Sequence, residues 1–163
     1  MIKVNVNFKG APVTLQGHHI EVGERVPDFK AVNNALETID SSSFQGKRVF
    51  VSVPSVDTPV CDREIRRFNE EATKYKDAHV YVISMDLPFA QTRWCGSAGI
   101  DKVITLSDYK ERNFGQNFGT YIEELGLLTR AVFVVDEKDI VTYVEYCAEV
   151  GEEPNYEEAL KYL

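Results

Sequence analysis

Val49-Phe50-Val51-Ser52-Val53-Pro54-Ser55-Val56-Asp57-Thr58-Pro59-Val60-Cys61 holds a strand, its stop and the approach to a helix. Residues 49–53 are mainly apolar and β-branched, the composition of a strand covered on both faces. Pro54 brings no N–H to a sheet ladder and ends the run. After the loop 55–60, Cys61, Ile65, Phe68, Ala72 and Tyr75 recur at steps of four and three, which predicts a helix from about Cys61 with these residues on one face. Arg63, Glu64, Arg67, Glu70, Glu71 and Lys74 are expected on the opposite, charged face. A strand that runs through a short loop into a helix is the repeating element of an α/β fold.

Working outward, similar apolar runs at Val80–Ile83, Val103–Leu106 and Ala131–Val135, with helical or irregular stretches between the earlier ones, predict a largely buried, mostly parallel sheet. The run 131–135 and the next, 140–146, are joined by Asp136-Glu137-Lys138-Asp139, too short for a parallel crossover, so these two should pair antiparallel. A last helix opens near Pro154-Asn155 and runs through Leu160. At the other end, residues 3–8 and 12–16, joined through Lys9-Gly10-Ala11, predict a β-hairpin extension over about residues 1–17. Parallel strand–helix units, then a hairpin, then a closing helix is the order of a thioredoxin-like α/β fold. A chain of 163 residues, 44% hydrophobic and free of repeats or Gly/Ser linkers, fits one domain over 1–163, with Ser41-Ser42-Ser43 as a turn.

The formal net charge of −8 argues against nucleic acid or an anionic bilayer as partner, because like charges repel. The opening residues alternate apolar and polar, unlike the continuous apolar block of a signal peptide, and no apolar run approaches the ~20 residues of a membrane span. A soluble cytoplasmic protein is expected. Three cysteines, Cys61, Cys95 and Cys147, are too few and too scattered for a disulfide-stapled fold. Neither a Cys-x-x-Cys pair nor metal-type spacing with His18, His19 or His79 occurs, so no metal is expected.

Cys61 in the first turn of a helix lies near unpaired backbone N–H groups and the positive end of the helix dipole, which favours a thiolate. By position alone it can equally be a small apolar residue on the helix stripe. The segment Pro54-Ser55-Val56-Asp57-Thr58-Pro59-Val60-Cys61 decides between these, because it resembles the peroxiredoxin signature P-x-x-x-T-x-x-C at every specified position. The resemblance implies a peroxidatic Cys61, with Thr58 hydrogen-bonding thiolate and peroxide and Pro54 shielding the sulfur. In-line cleavage of an O–O bond also needs fixed donors for charge growing on the leaving oxygen. The family places an arginine at the start of a later strand, and Arg130 in Thr129-Arg130-Ala131-Val132 matches that context.

Met85-Asp86-Leu87-Pro88-Phe89-Ala90-Gln91-Thr92-Arg93-Trp94-Cys95-Gly96 closely resembles the segment that marks thiol peroxidases among peroxiredoxins and carries their resolving cysteine, which implies that role for Cys95. Asp86 is expected to cap a short helix with Pro88 in its first turn, while Gly96 and Gly99 limit its length and stability. Such a helix can unravel at modest cost and bring Cys95 to Cys61 for an intramolecular disulfide, reduced in turn by a thioredoxin-like protein. Similarity to thiol peroxidases extends over nearly the whole chain, although Pro59 stands where the family commonly has glycine. It further implies a homodimer, no cofactor, and hydrogen peroxide and organic hydroperoxides as substrates. Cys147 is read as structural, Asp57 as a loop-capping residue, and 114–119 as a loop packed on the core. Two other classes compete. A thioredoxin-type disulfide exchanger would carry a cysteine where Glu64 stands, and a redox sensor would use the same two cysteines without turnover.

Overall fold

The computed structural model describes residues 4–72, 74, 78–99 and 102–163. In chain order it forms β1 (Val6–Phe8), β2 (Ala11–Val13), β3 (Leu15–Gln16), β4 (Lys30–Val32), β5 (Thr38–Asp40), a 3-10 turn (Ser41–Ser43), β6 (Lys47–Ser52) and α1 (Pro59–Ala72). Then come β7 (Ala78–Ser84), α2 (Pro88–Ala98), β8 (Val103–Ser107), α3 (Asn113–Phe118), β9 (Tyr121–Ile122), β10 (Leu127–Leu128), β11 (Ala131–Val135), β12 (Val141–Tyr146) and α4 (Tyr156–Leu160). Lys3 and Tyr75, read above as hairpin and helix-face residues, lie outside the described residues, as does the side chain of Ala72.

The main sheet has seven strands in the order β12-β11-β6-β7-β8-β4-β5. The expectation of a mostly parallel sheet is corrected: β6–β7 and β7–β8 are parallel, whereas β11–β12, β11–β6, β4–β5 and β4–β8 are antiparallel. Unbroken apolar runs report burial on two faces, and both kinds of ladder can have that. After β8 the chain detours through α3, β9 and β10, and β11 enters the sheet against the direction of β6. The expected hairpin of β11 and β12 is present, with Asp139 in the left-handed region (φ 65°) at its turn. So is the N-terminal hairpin, β1 against β2. The expected second strand is split, however, because Leu15 and Gln16 turn away to pair with β9.

Alternation along the central strands sends side chains into two cores. Val49, Val51, Val80, Val82, Val132 and Val134 face α1 and α4, where Ile65, Phe68, Ala159 and Leu160 cover them. Phe50, Tyr81, Ile83, Phe133 and Val135 face the other way, onto Phe29, Phe114 and Phe118. Segment 114–119 packs on the core as expected, but as helix α3, closed by Gly119 in the left-handed region (φ 64°). Each Ile or Phe buried in this way contributes about 1.5–3 kcal/mol, so α1 is held mainly by its apolar face. No helix among the described residues is long and apolar enough to cross a membrane.

Candidate active site

Helix α1 begins two residues before Cys61. Pro59 occupies its first position, where a missing N–H costs nothing. The Thr58 hydroxyl accepts from the Cys61 N–H at 3.2 Å, and the Thr58 carbonyl accepts from the Asp62 N–H at 2.9 Å. Thr58 is therefore the N-cap, and Cys61 sits in the first turn as its spacing predicted. The same hydroxyl lies 3.5 Å from the Ser55 carbonyl. Pro54 is buried at the end of β6, and Cys61 is fully buried.

Arg130 reaches this sulfur because of strand register. Ala131 pairs with Ser52 across the antiparallel β11–β6 ladder, so the residue before β11 lies level with the chain leaving β6. Its guanidinium is fixed on three sides: Nε donates to the Val150 carbonyl at 2.7 Å, Nη1 to Glu64 Oε2, and Nη2 to Cys61 Sγ at 3.1 Å. Its carbonyl accepts from the Cys147 N–H at 3.0 Å. Burial opposes the charge of Arg130, but Glu64 and Cys61 outweigh it and hold the guanidinium protonated more firmly than usual.

Glu64 corrects the sequence reading. Expected on the charged outer face of α1, it is fully buried and paired with Arg130. Burial raises its carboxyl to about 7; Arg130 only partly offsets this, and Glu153 and Glu145 push in the same direction. The signal was its spacing: three residues after Cys61 and four before Phe68, Glu64 belongs to the inward stripe.

Asp86 is a second correction. The residue preceding α2 in the N-cap position is Leu87, which makes no side-chain cap, and Pro88 opens the helix as expected. Asp86 instead accepts from Ser55 Oγ, from the Val56 N–H and from Ser84 Oγ, at 2.8, 2.8 and 2.7 Å. It thus ties the loop before Cys61 to the end of β7. The cap in that loop is Ser55, whose hydroxyl accepts from the Asp57 N–H at 3.1 Å, and not Asp57. A cleft of about 510 Å³ opens between this loop and α2, lined by Ser55, Val56, Asp57, Asp86, Ala90, Arg93 and Trp94.

Cys95 is half-buried on α2, with its sulfur 3.7 Å from Thr105 Oγ1 of β8, and burial raises its thiol above the usual range. It lines a separate cleft of about 360 Å³ with Asn33, Asn34 and Ile104. The structure does not bring it to Cys61: both thiols are free. Cys61 is anchored beside the start of β11 and Cys95 beside β8, with β6 and β7 between them. With neither thiol in a disulfide and the two held against different strands, forming a bond between them calls for one of them to move. Gln91 pins the first half of α2 through bonds to Ser84 Oγ at 3.0 Å and the Leu106 carbonyl at 2.9 Å. In the second half, Trp94 Nε1 donates to Asp62 Oδ1 of α1 at 3.1 Å, and Gly99 closes the helix in the left-handed region.

Cys147 is buried, and burial followed by the charge of Glu145 pushes its thiol far up, as suits an inert side chain. Among the described residues no group of three or more His, Cys, Asp or Glu could hold a metal ion. The arrangement sets a fixed guanidinium donor and the first turn of α1 against the Cys61 sulfur.

A model of the redoxin family matches residues 21–160. Thiol peroxidases of Clostridium acetobutylicum and Bacillus subtilis are 56% and 54% identical to this chain, over 97% and 96% of it and 96% and 94% of their own lengths. Among solved structures, a peroxiredoxin-like protein from Aquifex aeolicus superposes with a TM-score of 0.90 at 40% identity, covering 96% of this chain and 94% of that one.

Proposed function

On the premise that the chain belongs to the redoxin family, and within it to the peroxiredoxin-type thiol peroxidases, we propose that it reduces hydrogen peroxide and organic hydroperoxides through Cys61 and Cys95. The observation that carries this reading is the hydrogen bond from buried Arg130 to the Cys61 sulfur in the first turn of α1. The guanidinium puts a fixed cationic donor on the sulfur, and such donors can receive charge as it moves onto the peroxide. The thiolate donates an electron pair to the proximal peroxide oxygen, the O–O bond breaks, and the leaving oxygen takes a proton as water or alcohol. Cys61 becomes a sulfenic acid. In this reading Thr58, which caps the turn, hydrogen-bonds thiolate and peroxide, and buried Pro54 shields the sulfur from bulk water.

Resolution requires the second half of α2 to unwind. The Trp94–Asp62 bond and the loose Cys95–Thr105 contact are among the contacts that opening breaks, while Gln91 keeps the first half in place. The Cys95 thiolate then displaces hydroxide from the sulfenic sulfur, water forms, and a disulfide joins the two residues. A thioredoxin-like dithiol protein as reductant, a homodimer, a cytoplasmic location and a single domain over 1–163 complete the reading; the first three rest on the family and on composition, not on this geometry.

Peptide-level mass mapping of the reduced protein after one equivalent of cumene hydroperoxide tests the scheme. The Cys61 and Cys95 peptides should become cross-linked while Cys147 stays free. Survival of all three thiols would end the peroxidase reading. Oxidation of Cys61 without a cross-link would remove Cys95 from the mechanism.

A further inference from the structure

The buried centre holds one cation and two groups able to become anions. Arg130 is 1% exposed, and Cys61 and Glu64 are 0% exposed. Nη1 of Arg130 meets the carboxylate and Nη2 meets the sulfur, so one guanidinium faces both. In a medium this poor in water, a single positive charge compensates a single negative one, and a second anion would be left without a counter-ion. Among the described residues, the other groups that act on Glu64 supply none, and Arg67, over the Tyr156 ring, pairs with Glu71. Glu145 on β12 and Glu153 ahead of α4 are themselves acidic, and Cys147 and Tyr156 have no positive form. Arg63 pairs with Glu153 from a largely exposed position.

Glu64 also shows uneven bonding. Oε2 accepts from Arg130, whereas Oε1 is buried and accepts no hydrogen bond from any described residue. An ionised carboxylate bears strong acceptor character on both oxygens, and leaving one bare in the interior is costly. A neutral carboxyl group in this place carries no such charge. Its preference for the protonated form up to about pH 7 points the same way.

We propose that Cys61 and Glu64 share one proton across Arg130: Glu64 is a neutral acid while Cys61 is a thiolate, and becomes the carboxylate once the sulfur is oxidised. The inference rests on the reading of Cys61 as the peroxidatic residue. The step balances as Cys61–S⁻ + Glu64–COOH + ROOH → Cys61–SOH + Glu64–COO⁻ + ROH. The sulfur loses two electrons to the O–O bond, and the proton that leaves Glu64 offsets the one taken up by the alkoxide. Arg130 keeps one anionic partner throughout, so the buried site never carries an excess charge. Glu64 is then a positioning residue that also stores a proton, and its titration is coupled to that of the sulfur.

Infrared difference spectroscopy reads this directly. A Cys95→Ser protein stops at the sulfenic acid, and it is oxidised with one equivalent of hydrogen peroxide at a pH where ultraviolet absorbance shows a thiolate. The expected spectrum loses a protonated-carboxyl C=O band and gains a carboxylate band, in step with Cys61 oxidation followed by mass. With Glu64→Gln added, Cys61 should still oxidise and both bands should be missing. Oxidation of Cys61 with no loss of an acid band, or with the same loss in the Glu64→Gln protein, overturns the proposal but leaves the peroxidatic reading intact. Failure of Cys61 to oxidise in the Cys95→Ser protein overturns that reading and the proposal with it. A Cys61→Ser protein gives an independent check: without the competing sulfur anion, the Glu64 acid band should disappear at a lower pH than in the unsubstituted chain, and an unchanged titration would refute the sharing.

Discussion

The two cysteines of the scheme are held in opposite ways. Around Cys61, the polar groups are fixed by hydrogen bonds: Thr58 caps the helix, Asp86 ties down the loop before it, and Arg130 is gripped at all three guanidinium nitrogens. Around Cys95, the described contacts include a 3.7 Å approach to Thr105 and a bond from Trp94 across to α1, on a helix that contains Gly96 and is closed by Gly99. A group that must stabilise developing charge gains from donors already in place, since nothing has to reorganise during the reaction. A group that must travel gains from being weakly held, because the cost of opening enters its rate. On the proposed scheme, these hydrogen bonds gather around the sulfur that reacts rather than around the one that travels.

The largest expected effect breaks the fixed side of this contrast. Arg130→Lys retains a positive charge but replaces a three-way fork with one flexible ammonium, which cannot serve Val150, Glu64 and Cys61 together. Single-turnover oxidation by hydrogen peroxide, followed by stopped flow, should slow by about 10²-fold. A slowing of less than about threefold would mean that charge near the sulfur suffices and the fork geometry contributes little.

What the sequence disclosed divides along the same line of local against distant. The strand 131–135, the hairpin after it and the helix behind Cys61 follow from periodicity within a few residues, and they are present. Cys61 and Arg130 were singled out from short patterns, and the structure joins them although they are 69 positions apart. Strand direction was not legible, because burial on two faces leaves no mark of whether a neighbour runs parallel or antiparallel. The inward position of Glu64 is hidden for a related reason. A carboxylate on a helix is assigned to water unless its counter-ion is known, and that counter-ion arrives 66 residues later. Asp86 looks in sequence like a cap of the helix it precedes, whereas it bonds Ser55 and Val56 some 30 residues earlier.

The mobile side can be stiffened. Gly96 lies within α2, and a Cβ added there would meet nothing within 4 Å. Gly96→Ala should therefore stabilise the helix by about 1 kcal/mol without a clash, and slow the conversion of sulfenic acid to disulfide by about fivefold. The rate of the first oxidation should not change, because no contact of Cys61 or Arg130 is touched. Slower resolution would show as more sulfinic acid on Cys61 at excess peroxide, measured by intact mass. An unchanged partition would mean that α2 does not unwind at Gly96.

Loosening the same helix should act in reverse, with a smaller effect. Trp94→Phe keeps an aromatic ring against the apolar face of the sheet and removes the indole N–H that Asp62 accepts. Asp62 is about one-third exposed and also pairs with Arg66 at 3.0 Å, so the bond is partly replaced by water and the existing ion pair. Disulfide formation should quicken by about threefold, and sulfinic acid should become rarer at a given excess of peroxide. Asp62→Ala removes the other end of the contact and leaves the chain's single tryptophan as a fluorescent reporter of helix opening. If both variants resolve faster while oxidising at the parental rate, the bond between the two helices is what delays Cys95. If they slow the first oxidation instead, Trp94 and Asp62 belong to the fixed centre around Cys61, and the boundary between the rigid and the mobile region lies beyond Trp94.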